Sequence, residues 1–271
     1  MRGPAPAKIN LALVVGPLRK DGKHELLTVY QRVGLADRID VDPAARTHVE
    51  GFAGDRLVRD ALERLAVHAA VAHGWHARVE KRIPVAAGLG GGSSDAATAL
   101  RLANATLDGP VPAAELHDLA AELGADVPFF LVDGPRLGSG DGATLAPLDL
   151  PQDFWIVLAL PNGVRKESTE SVYAAFDGRE GERGWEERRA ALFDALETVR
   201  RPRDLAGLPP NDLASSPVSD ELRALGAFRA DVSGAGPTVY GLFHHRRAAQ
   251  AAQRALKRVA RTWLTAPAWY G

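Results

Sequence analysis

Residues 88–96 read Gly88-Leu89-Gly90-Gly91-Gly92-Ser93-Ser94-Asp95-Ala96 and place four glycines and two serines between an extended run and an alanine-rich run. Glycine has no Cβ, so the backbone N–H groups of such a loop can approach a ligand closely. Residues 96–103 are predicted to be helical, and a glycine loop that opens a helix presents free N–H donors and the positive end of the helix dipole to an anion. The stretch therefore predicts a phosphate site, with a nucleotide triphosphate as its natural ligand.

The loop differs from the two commonest phosphate-binding motifs. A Walker loop has Lys and then Ser or Thr after its last glycine, whereas Gly92 is followed by two serines. A dinucleotide-binding fingerprint requires a βαβ unit with an acidic residue after its second strand, and that context is missing. A disordered linker is the alternative, but linkers are rarely framed by an apolar strand with a proline, here Ile83-Pro84, and by an apolar helix.

Composition limits the class of protein. The chain has 271 residues, 46% of them hydrophobic, which suffices for one large or two modest domains. The formal net charge of −1 gives no indication of binding to nucleic acid or membrane. The absence of cysteine excludes a disulfide framework, a thiolate zinc site and a cysteine nucleophile. Because the start of the chain has no apolar signal core and no apolar run approaches the ~20 residues of a membrane span, we expect a cytoplasmic protein.

The rest of the chain shows strand and helix patterns. From Ala7 to Val15 apolar and polar residues alternate and then become continuously apolar, which predicts a strand with Lys8 and Asn10 on one face. Apolar runs predict further strands over 26–33, 37–41, 77–83, 154–160, 238–243 and 262–269. Helical periodicity predicts helices over 55–73, 96–103, 112–123, 167–176, 185–201, 220–227 and 246–261. Because these elements follow no regular βαβ rhythm, the pattern favours an α+β fold in two parts.

A proline-rich step around Pro147 and Pro151 predicts the boundary between the two parts, which gives domains 1–150 and 151–271. Before this step, the segment 124–132 places one carboxylate, Asp126, just ahead of an apolar run. Beyond it, residues 231–237 form a second glycine loop. Two interpretations of that loop stay open: a plain hairpin connector, or a backbone segment that packs closely on the first loop.

Three stretches, in this order, resemble the three motifs of the GHMP kinases, which include galactokinase, homoserine kinase, mevalonate kinase and phosphomevalonate kinase. They are Pro6-Ala7-Lys8-Ile9-Asn10-Leu11, residues 84–97, and Ser233-Gly234-Ala235-Gly236. A finer resemblance is to the GHMP kinases that act on a cytidine diphosphate sugar-alcohol. It rests on Asp21-Gly22-Lys23-His24-Glu25-Leu26, residues 88–97, residues 123–130 and Asn211-Asp212-Leu213. The resemblance runs from about Ala5 to the last predicted strand.

The resemblance implies a two-domain GHMP kinase fold of the α+β class, with an N-terminal ATP-binding α/β domain and a C-terminal ferredoxin-like α+β domain. It implies an ATP-dependent enzyme that phosphorylates an alcohol group of the cytidine diphosphate sugar-alcohol, in isoprenoid precursor biosynthesis. A mevalonate- or homoserine-type kinase is the alternative within the family. The three consecutive glycines Gly90 to Gly92 and the motifs around His24 and Asp126 speak against that alternative.

The resemblance also implies the site residues. Phosphoryl transfer needs positioning, charge neutralisation and an acceptor for the hydroxyl proton. The catalytic residues implied are Asp126, as the base, and Lys8, as the cation beside it. The ATP-binding residues implied are Pro84, Val85, Ala86, Ala87, Gly88, Leu89, Gly90, Gly91, Gly92, Ser93 and Ser94. The substrate-binding residues implied are Asn10, His24 at the cytosine edge, Tyr30, Thr169 and Tyr173.

ATP is the implied co-substrate and Mg²⁺ the implied cofactor. The ion is expected to be bound mainly by ATP phosphates and water, with Ser94 or Asp95 as the nearest candidate protein ligands. A monomer or weak homodimer is expected, without a nucleic-acid or membrane partner. The basic segment 244–261 is the one feature that suggests nucleic acid, but a charge run on one helix face is usually its solvated side.

Two positions depart from the family pattern. Lys23 stands where the family commonly has a tyrosine that helps to sandwich the cytosine, so one stacking face is lost or replaced by the lysine stem. Arg56 stands where an asparagine commonly precedes leucine and valine near the adenine pocket. Arginine can stack on adenine but cannot accept a hydrogen bond from its amino group. These changes bear on affinity and base selectivity rather than on the class of reaction.

Overall fold

Two sheets, one in each half of the chain, form the framework of the fold. A computed structural model describes residues 1–52, 56–164 and 168–268. The first sheet contains β1 (Arg2–Leu18), β2 (His24–Ala44), β3 (His48–Glu50), β4 (Gly74–Glu80), β5 (Arg136–Gly140) and β6 (Thr144–Pro147). The second sheet contains β7 (Trp155–Pro161), β8 (Arg229–Val232), β9 (Val239–Phe243) and β10 (Ala260–Thr265). The α-helices of the described ranges are α1 (Arg56–His68), α2 (Gly91–Asn104), α3 (Ala113–Leu123), α4 (Thr169–Gly178), α5 (Trp185–Thr198), α6 (Pro217–Ala224) and α7 (Arg246–Leu256).

Strands β1 and β2 form a long antiparallel pair at the centre of the molecule. The two strands predicted over 26–33 and 37–41 are parts of the single strand β2. Residues 5–16 of β1 are all buried, because both faces of the strand are covered. Ala5 packs with helices α1 and α2, whereas Ile9 and Leu11 pack against the second sheet. This double coverage buries polar side chains of β1 as well, and it places them between the two halves of the chain.

Helix α2 begins earlier than the sequence predicts. The prediction started the helix at Ala96, but the structure starts it at Gly91, so the last glycines and both serines form its first turn. Gly90 precedes the helix with φ 68°, a left-handed conformation that glycine adopts without strain. The glycine loop and the start of the helix are therefore one continuous structure.

The second half of the chain has the ferredoxin-like arrangement that the resemblance implies. Its sheet has the order β10-β7-β9-β8, and helices α4 to α6 and helix α7 provide its two helical connections. The two sheets separate between Pro147 and Trp155. The domain boundary at residue 150 stays a prediction.

Several predicted elements have different ends, and some elements were missed. The helices predicted over 55–73, 112–123, 185–201, 220–227 and 246–261 correspond to α1, α3, α5, α6 and α7, of which all but α3 end earlier than predicted. The predicted ends Asp55, Glu167 and Trp269 lie outside the described residues. Strands β3, β5 and β6 were not predicted, since they are short and lie among glycines, prolines and charged residues that weaken a strand pattern. Within the described ranges, the longest apolar helical stretch falls short of what crossing a membrane requires.

Candidate active site

One cleft of about 620 Å³ lies between the two halves of the chain. Most of the predicted site residues line it. They are Lys8, Asn10, Tyr30, residues 84–93, Asp126, Thr169 and Tyr173. His24 and Ser94 are buried and are not among the lining residues, although each adjoins one that is, Tyr173 and Ser93 respectively. The structure thus brings into one cleft residues that are up to 165 positions apart, from Lys8 to Tyr173.

The glycine loop presents an open helix start to the cleft. Within the described residues, no side chain caps the N terminus of α2. The first N–H groups of an α-helix have no acceptor inside the helix, so those of this turn are available to a ligand. A Cβ on Gly92 would meet nothing within 4 Å, which shows that there is space beside this turn. The geometry suits the predicted phosphate site, which stays a prediction.

The second glycine loop packs on the first. It joins β8 to β9 as a hairpin connector, and it also contacts the first loop directly. The Ser233 hydroxyl donates to the Gly88 carbonyl at 2.9 Å, and the Thr238 amide donates to the Ala87 carbonyl at 3.2 Å. Gly88 has φ 79°, and a Cβ there would collide with the Ser233 carbonyl oxygen. The second loop is therefore both a hairpin connector and a backbone segment that packs closely on the first loop.

Lys8 and Asp126, the predicted catalytic pair, are in contact. The Lys8 ammonium lies 3.3 Å from Asp126 Oδ2 and donates to Asn10 Oδ1 at 2.7 Å. Lys8 is 4% exposed, whereas 35% of the Asp126 side chain is exposed. The Lys8 amide donates to the Leu89 carbonyl at 2.9 Å, so the lysine is attached to the glycine loop. A buried cation thus faces a carboxylate that is open to the cleft.

Tyr30 contacts the carboxylate from the other side. Its hydroxyl donates to Asp126 Oδ1 at 2.9 Å, and its ring stacks on Phe129 with centroids 4.8 Å apart. Burial, and then the negative charge of Asp126, raise the pKa of Tyr30 well above its usual value, so the hydroxyl remains a proton donor. The sequence implied a wall of the substrate pocket here. The contact with Asp126 was missed, because nothing local to either residue indicates it.

Asn10 is oriented by a short chain of hydrogen bonds. Its amide nitrogen donates to the Thr28 hydroxyl at 2.7 Å, and that hydroxyl donates to the Ala12 carbonyl at 2.9 Å. The amide oxygen is therefore directed at Lys8. Asn10 is 4% exposed but lines the cleft, so its position fits the predicted contact with a sugar-alcohol or diphosphate, which stays a prediction.

Arg32 holds the segment that follows Asp126. It is 4% exposed and donates to the carbonyls of Phe129 and Val132, the first at 3.1 Å. These carbonyls belong to the 3₁₀ helix over Pro128–Leu131 and to the residue after it. Arg32 was not predicted as a functional residue, although an arginine within an apolar strand indicates a buried hydrogen-bonding partner.

Helix α4 lines the end of the cleft at which the cytosine is predicted to bind. Thr169 and Tyr173 lie one turn apart on it, and the Ser168 hydroxyl caps the helix by accepting from the Ser171 amide at 3.0 Å. Tyr173 stacks on the His24 ring with centroids 5.2 Å apart, and burial raises the pKa of Tyr173 to about 12. His24 is 7% exposed. Its Nδ1 lies 2.8 Å from the Gly16 carbonyl oxygen, and its Nε2 lies 3.2 Å from Asp177 Oδ1.

Lys23, the departure from the family's tyrosine, forms an ion pair at the rim of the same end. Its ammonium donates to Asp141 Oδ2 at 2.6 Å. Asp141 lines the cleft and was not predicted as a site residue. Burial acts to raise the pKa of Asp141, but hydrogen bonds from Lys23 and from the Ala143 amide lower it below its usual value. The lysine therefore compensates a negative charge at the cleft wall.

Phe52, Arg56 and Leu57 form the opposite end of the cleft, beside Lys81 and the glycine loop. Phe52 and Leu57 were not singled out by the sequence, whereas Arg56 was noted as a departure near the predicted adenine pocket. The Lys81 ammonium lies 5.8 Å from the centre of the Phe52 ring. Of the two departures from the family pattern, Arg56 lines the cleft itself, whereas Lys23 adjoins it through Asp141.

Lys81 also forms a buried ion-pair cluster beneath the glycine loop. Its ammonium donates to Asp37 at 2.5 Å and to Asp95 at 2.6 Å, and both carboxylates are fully buried. Burial acts to lower the pKa of Lys81, but Asp95 and the hydrogen bonds to both carboxylates raise it. In the sequence, Lys81 continues the alternation of the apolar residues Ala77 and Val79. A lysine at a position that this pattern predicts to be buried indicates that carboxylates or other polar groups lie beside it.

The candidate Mg²⁺ ligands differ in how well they suit the ion. Asp95 is fully buried and already bound by Lys81. The Ser94 hydroxyl lies in the first turn of α2, is shielded from solvent, and has no hydrogen-bond partner within the described residues. Mg²⁺ takes oxygen ligands and keeps several waters or phosphate oxygens, so a single hydroxyl at this turn fits it.

Comparison with known proteins supports this assignment of the fold. The family model for the GHMP kinases N terminal domain matches residues 56–134, and that for the GHMP kinases C terminal domain matches residues 215–262. The two-domain α+β fold predicted from the resemblance is confirmed.

The 4-diphosphocytidyl-2-C-methyl-D-erythritol kinase of Anaeromyxobacter sp. strain Fw109-5 is 39% identical over 266 residues, covering 93% of this chain and 85% of the relative. A crystal structure of 4-(cytidine 5'-diphospho)-2C-methyl-D-erythritol kinase is 35% identical, with a TM-score of 0.81, and covers 99% of this chain and 100% of that chain. The mevalonate kinase of Methanococcus jannaschii has a TM-score of 0.74 over 99% of this chain and 98% of its own, but is 12% identical and shows the fold alone. The chain therefore belongs to the GHMP kinases and, within them, to the 4-diphosphocytidyl-2-C-methyl-D-erythritol kinase family.

Proposed function

We propose that this protein transfers the γ-phosphoryl group of ATP to the 2-hydroxyl of 4-diphosphocytidyl-2-C-methyl-D-erythritol, giving the 2-phosphate and ADP. The reaction is a step of the non-mevalonate route to isoprenoid precursors. The acceptor follows from relatives of that name at 35–39% identity over nearly the whole chain. A cytoplasmic location, a monomeric or weakly dimeric state and a requirement for Mg²⁺ are parts of the same proposal.

One observation supports the inference that the reaction is phosphoryl transfer. A single cleft joins the open N terminus of α2 to a carboxylate, Asp126, that is paired with a buried lysine, Lys8. The first element suits the phosphates of ATP, and the second suits the acceptor hydroxyl. Because Lys8 also bonds to Leu89 in the glycine loop, both reactants meet at this lysine. Such positioning and charge neutralisation supply most of the catalysis of phosphoryl transfer.

In this mechanism Asp126 accepts the proton of the 2-hydroxyl as the oxygen attacks the γ-phosphorus. The exposed part of the carboxylate leaves access for that hydroxyl, while Tyr30 and Lys8 fix its two oxygens. The Lys8 ammonium stabilises the developing alkoxide and the negative charge of the transferring group. Asn10, held by Thr28, keeps that ammonium in place.

The N–H groups of the first turn of α2 bind the ATP phosphates in this proposal. Mg²⁺, when bound, neutralises charge on the phosphates, and the Ser94 hydroxyl would be its ligand from the protein. Phe52, Arg56 and Leu57 bind the nucleoside part, since they lie at the glycine-loop end of the cleft. An arginine there contributes a stacking surface rather than a hydrogen-bond acceptor.

The cytosine binds at the α4 end of the cleft, against Tyr173. With Nδ1 of His24 donating to the Gly16 carbonyl, neutral His24 presents Nε2 as an acceptor, which suits the exocyclic amino group of cytosine. Asp177, whose side chain is 56% exposed, lies 3.2 Å from that nitrogen in this structure, so the base would have to displace it. The ion pair of Lys23 and Asp141 then lies beside the base or its diphosphate.

The experiment is phosphorus NMR of a reaction with Mg-ATP and 4-diphosphocytidyl-2-C-methyl-D-erythritol. We expect a new phosphomonoester signal and a stoichiometric amount of ADP. The Asp126→Asn variant should form little product while it binds a non-hydrolysable ATP analogue as the wild type does, because only the proton acceptor is lost. ADP formation without a new phosphomonoester, or normal turnover by the variant, would contradict the proposal.

A further inference from the structure

A second cluster of potential ligands lies outside the cleft, on the opposite face of the first sheet from helices α1 and α2. Among the described residues, His48, Glu50 and His76 place three metal-ligating atoms within 4.8 Å of one another. Strands β3 and β4 pair in parallel with His48 opposite His76, while Glu50 lies two residues along β3 on the same face. We propose that these three side chains bind one divalent transition-metal ion, of the borderline class to which Zn²⁺ belongs.

The contacts within the cluster suit a shared ion. His76 Nε2 lies 3.3 Å from Glu50 Oε1, and the two imidazole rings stack with centroids 5.6 Å apart. His76 Nε2 is shielded from solvent and, apart from this contact with Glu50, meets no hydrogen-bond partner among the described residues. A zinc ion bound at about 2.0–2.2 Å from each ligand needs tetrahedral ligand atoms about 3.4 Å apart. Side-chain rotation of the exposed His48 closes the remaining distance without moving the strands.

The donor set determines the class of metal. Two imidazole nitrogens and one carboxylate favour Zn²⁺, Co²⁺, Ni²⁺ or Cu²⁺, whereas Mg²⁺ and Ca²⁺ prefer oxygen ligands alone. Three protein ligands leave positions for water, which suits a site at the surface of a sheet. The site therefore discriminates against the millimolar Mg²⁺ that a kinase assay contains.

Arg78 is the competitor of the ion. It lies opposite Glu50 across the β3–β4 pair, and its Nε donates to Glu50 Oε1 at 2.8 Å. Each metal ion that binds must share or displace this guanidinium. Removal of Arg78 should therefore strengthen metal binding.

The cluster is connected through the chain to the nucleotide end of the cleft. Strand β3 ends at Glu50, and Gly51 and Phe52 follow it directly, of which Phe52 lines the cleft. A Cβ on Gly51 would collide with the Val79 carbonyl oxygen, so the backbone that follows β3 already packs tightly against β4. An ion that bridges β3 to β4 would hold the three-residue edge strand in place and thereby the segment that carries Phe52.

The test is isothermal titration of the untagged protein with Zn²⁺ alone, without nucleotide, in the presence of millimolar Mg²⁺. We expect one ion per chain. Removing even an outer partner of a metal ligand typically weakens binding 10–100-fold, so His48→Gln and His76→Gln should each weaken it by at least about tenfold. Arg78→Gln should tighten it. Co²⁺ in place of Zn²⁺ should give a visible absorption spectrum that His48→Gln abolishes.

His68→Gln is the matched control, since His68 is another surface histidine that contacts a glutamate, Glu115 at 2.7 Å. It should leave binding unchanged. Thermal melts of all variants without metal should coincide with that of the wild type, because the substituted side chains are exposed or half-buried. Absence of binding up to about 1 mM Zn²⁺ would overturn the proposal. Equal losses in His48→Gln and His68→Gln would overturn it as well.

Discussion

The hydrogen bond from Tyr30 to Asp126 should contribute to turnover, and Tyr30→Phe removes it with little other change. The tyrosine is 2% exposed, and its ring stacks on Phe129, a contact that phenylalanine keeps. The hydroxyl lies 2.9 Å from one oxygen of Asp126, while Lys8 is 3.3 Å from the other. The substitution therefore leaves the carboxylate held on one side only.

The structure sets the size of the expected effect. A hydrogen bond to a charged group contributes about 1.5–3 kcal/mol, which corresponds to roughly a 10- to 150-fold change in rate if all of it is lost in the transition state. The Asp126 side chain is 35% exposed, so water can replace part of the lost interaction. We therefore expect the lower end, a decrease in kcat of about tenfold.

Two effects of the hydroxyl oppose each other. It positions Asp126, but by stabilising the carboxylate it also makes the base weaker. Loose phosphoryl-transfer transition states need little help from a base, so positioning should outweigh basicity and kcat should fall. The assay is steady-state ADP release, with the KM for ATP expected to remain unchanged because the hydroxyl that is removed bonds to Asp126.

Tyr240→Phe is the control for this prediction. Tyr240 is fully buried, donates to the Leu11 carbonyl at 3.2 Å and does not line the cleft. The hydroxyl also accepts from Arg229 Nε at 3.1 Å, so its loss removes two buried hydrogen bonds, one of them from a guanidinium. The substitution should lower the free energy of unfolding by about 2–4 kcal/mol and leave kcat unchanged. An unchanged or increased kcat in Tyr30→Phe would refute the reasoning, and so would an equal decrease in both variants.

Three further predictions concern the loops and the ion pairs. Gly88→Ala should lower the melting temperature and weaken ATP binding, because its Cβ would collide with the second glycine loop, whereas the folding of Gly92→Ala should be normal, since its Cβ meets nothing within 4 Å. Lys23→Met should raise the KM for the cytidyl substrate but not for ATP, and the double variant with Asp141→Asn should restore it, because the unpaired carboxylate repels the diphosphate. Lys81→Met should lower the free energy of unfolding at pH 7 by about 3–5 kcal/mol, since two fully buried carboxylates lose their cation. Because the folded-state pKa of Lys81 is raised, this stabilisation is complete below the unfolded value of about 10.4 and is lost as the pH rises through the folded value.

Each of these has an outcome that contradicts it. Equal melting temperatures for Gly88→Ala and Gly92→Ala would show that the close packing of the loops contributes nothing to stability. Failure of the double variant to restore the KM would mean that Lys23 contacts the substrate itself. A denaturant midpoint of Lys81→Met that equals the wild-type value at pH 7 would show that the two carboxylates do not depend on the lysine.

Local patterns were sufficient to predict much of the fold and of the cleft. The glycine loop, the strand that carries Lys8 and the carboxylate ahead of Phe129 are each visible within ten residues of sequence. The order of these motifs along the chain carried the family resemblance. Together they predicted the α+β fold, and the structure places most of the residues so identified in one cleft.

The contacts that local patterns cannot show are those between distant strands. Tyr30 and Asp126 are 96 residues apart, and Lys23 and Asp141 are 118 apart. Neither pair leaves a periodic signal, because each contact arises from how β2 pairs with β5 and how the segment after α3 returns to the sheet. The start of α2 was missed for another reason: glycine and serine are weak helix formers, and the packing of the loop overrides that propensity.

The central claim, that the cleft phosphorylates the cytidyl sugar-alcohol, is tested most directly by kcat/KM. ADP release should be measured with Mg-ATP and, in parallel, 4-diphosphocytidyl-2-C-methyl-D-erythritol, mevalonate and homoserine. Turnover with the first acceptor alone is the predicted result, and it should depend on Asp126. Turnover with mevalonate or homoserine but not with the cytidyl substrate would contradict the claim, although it would keep the fold and the phosphate loop.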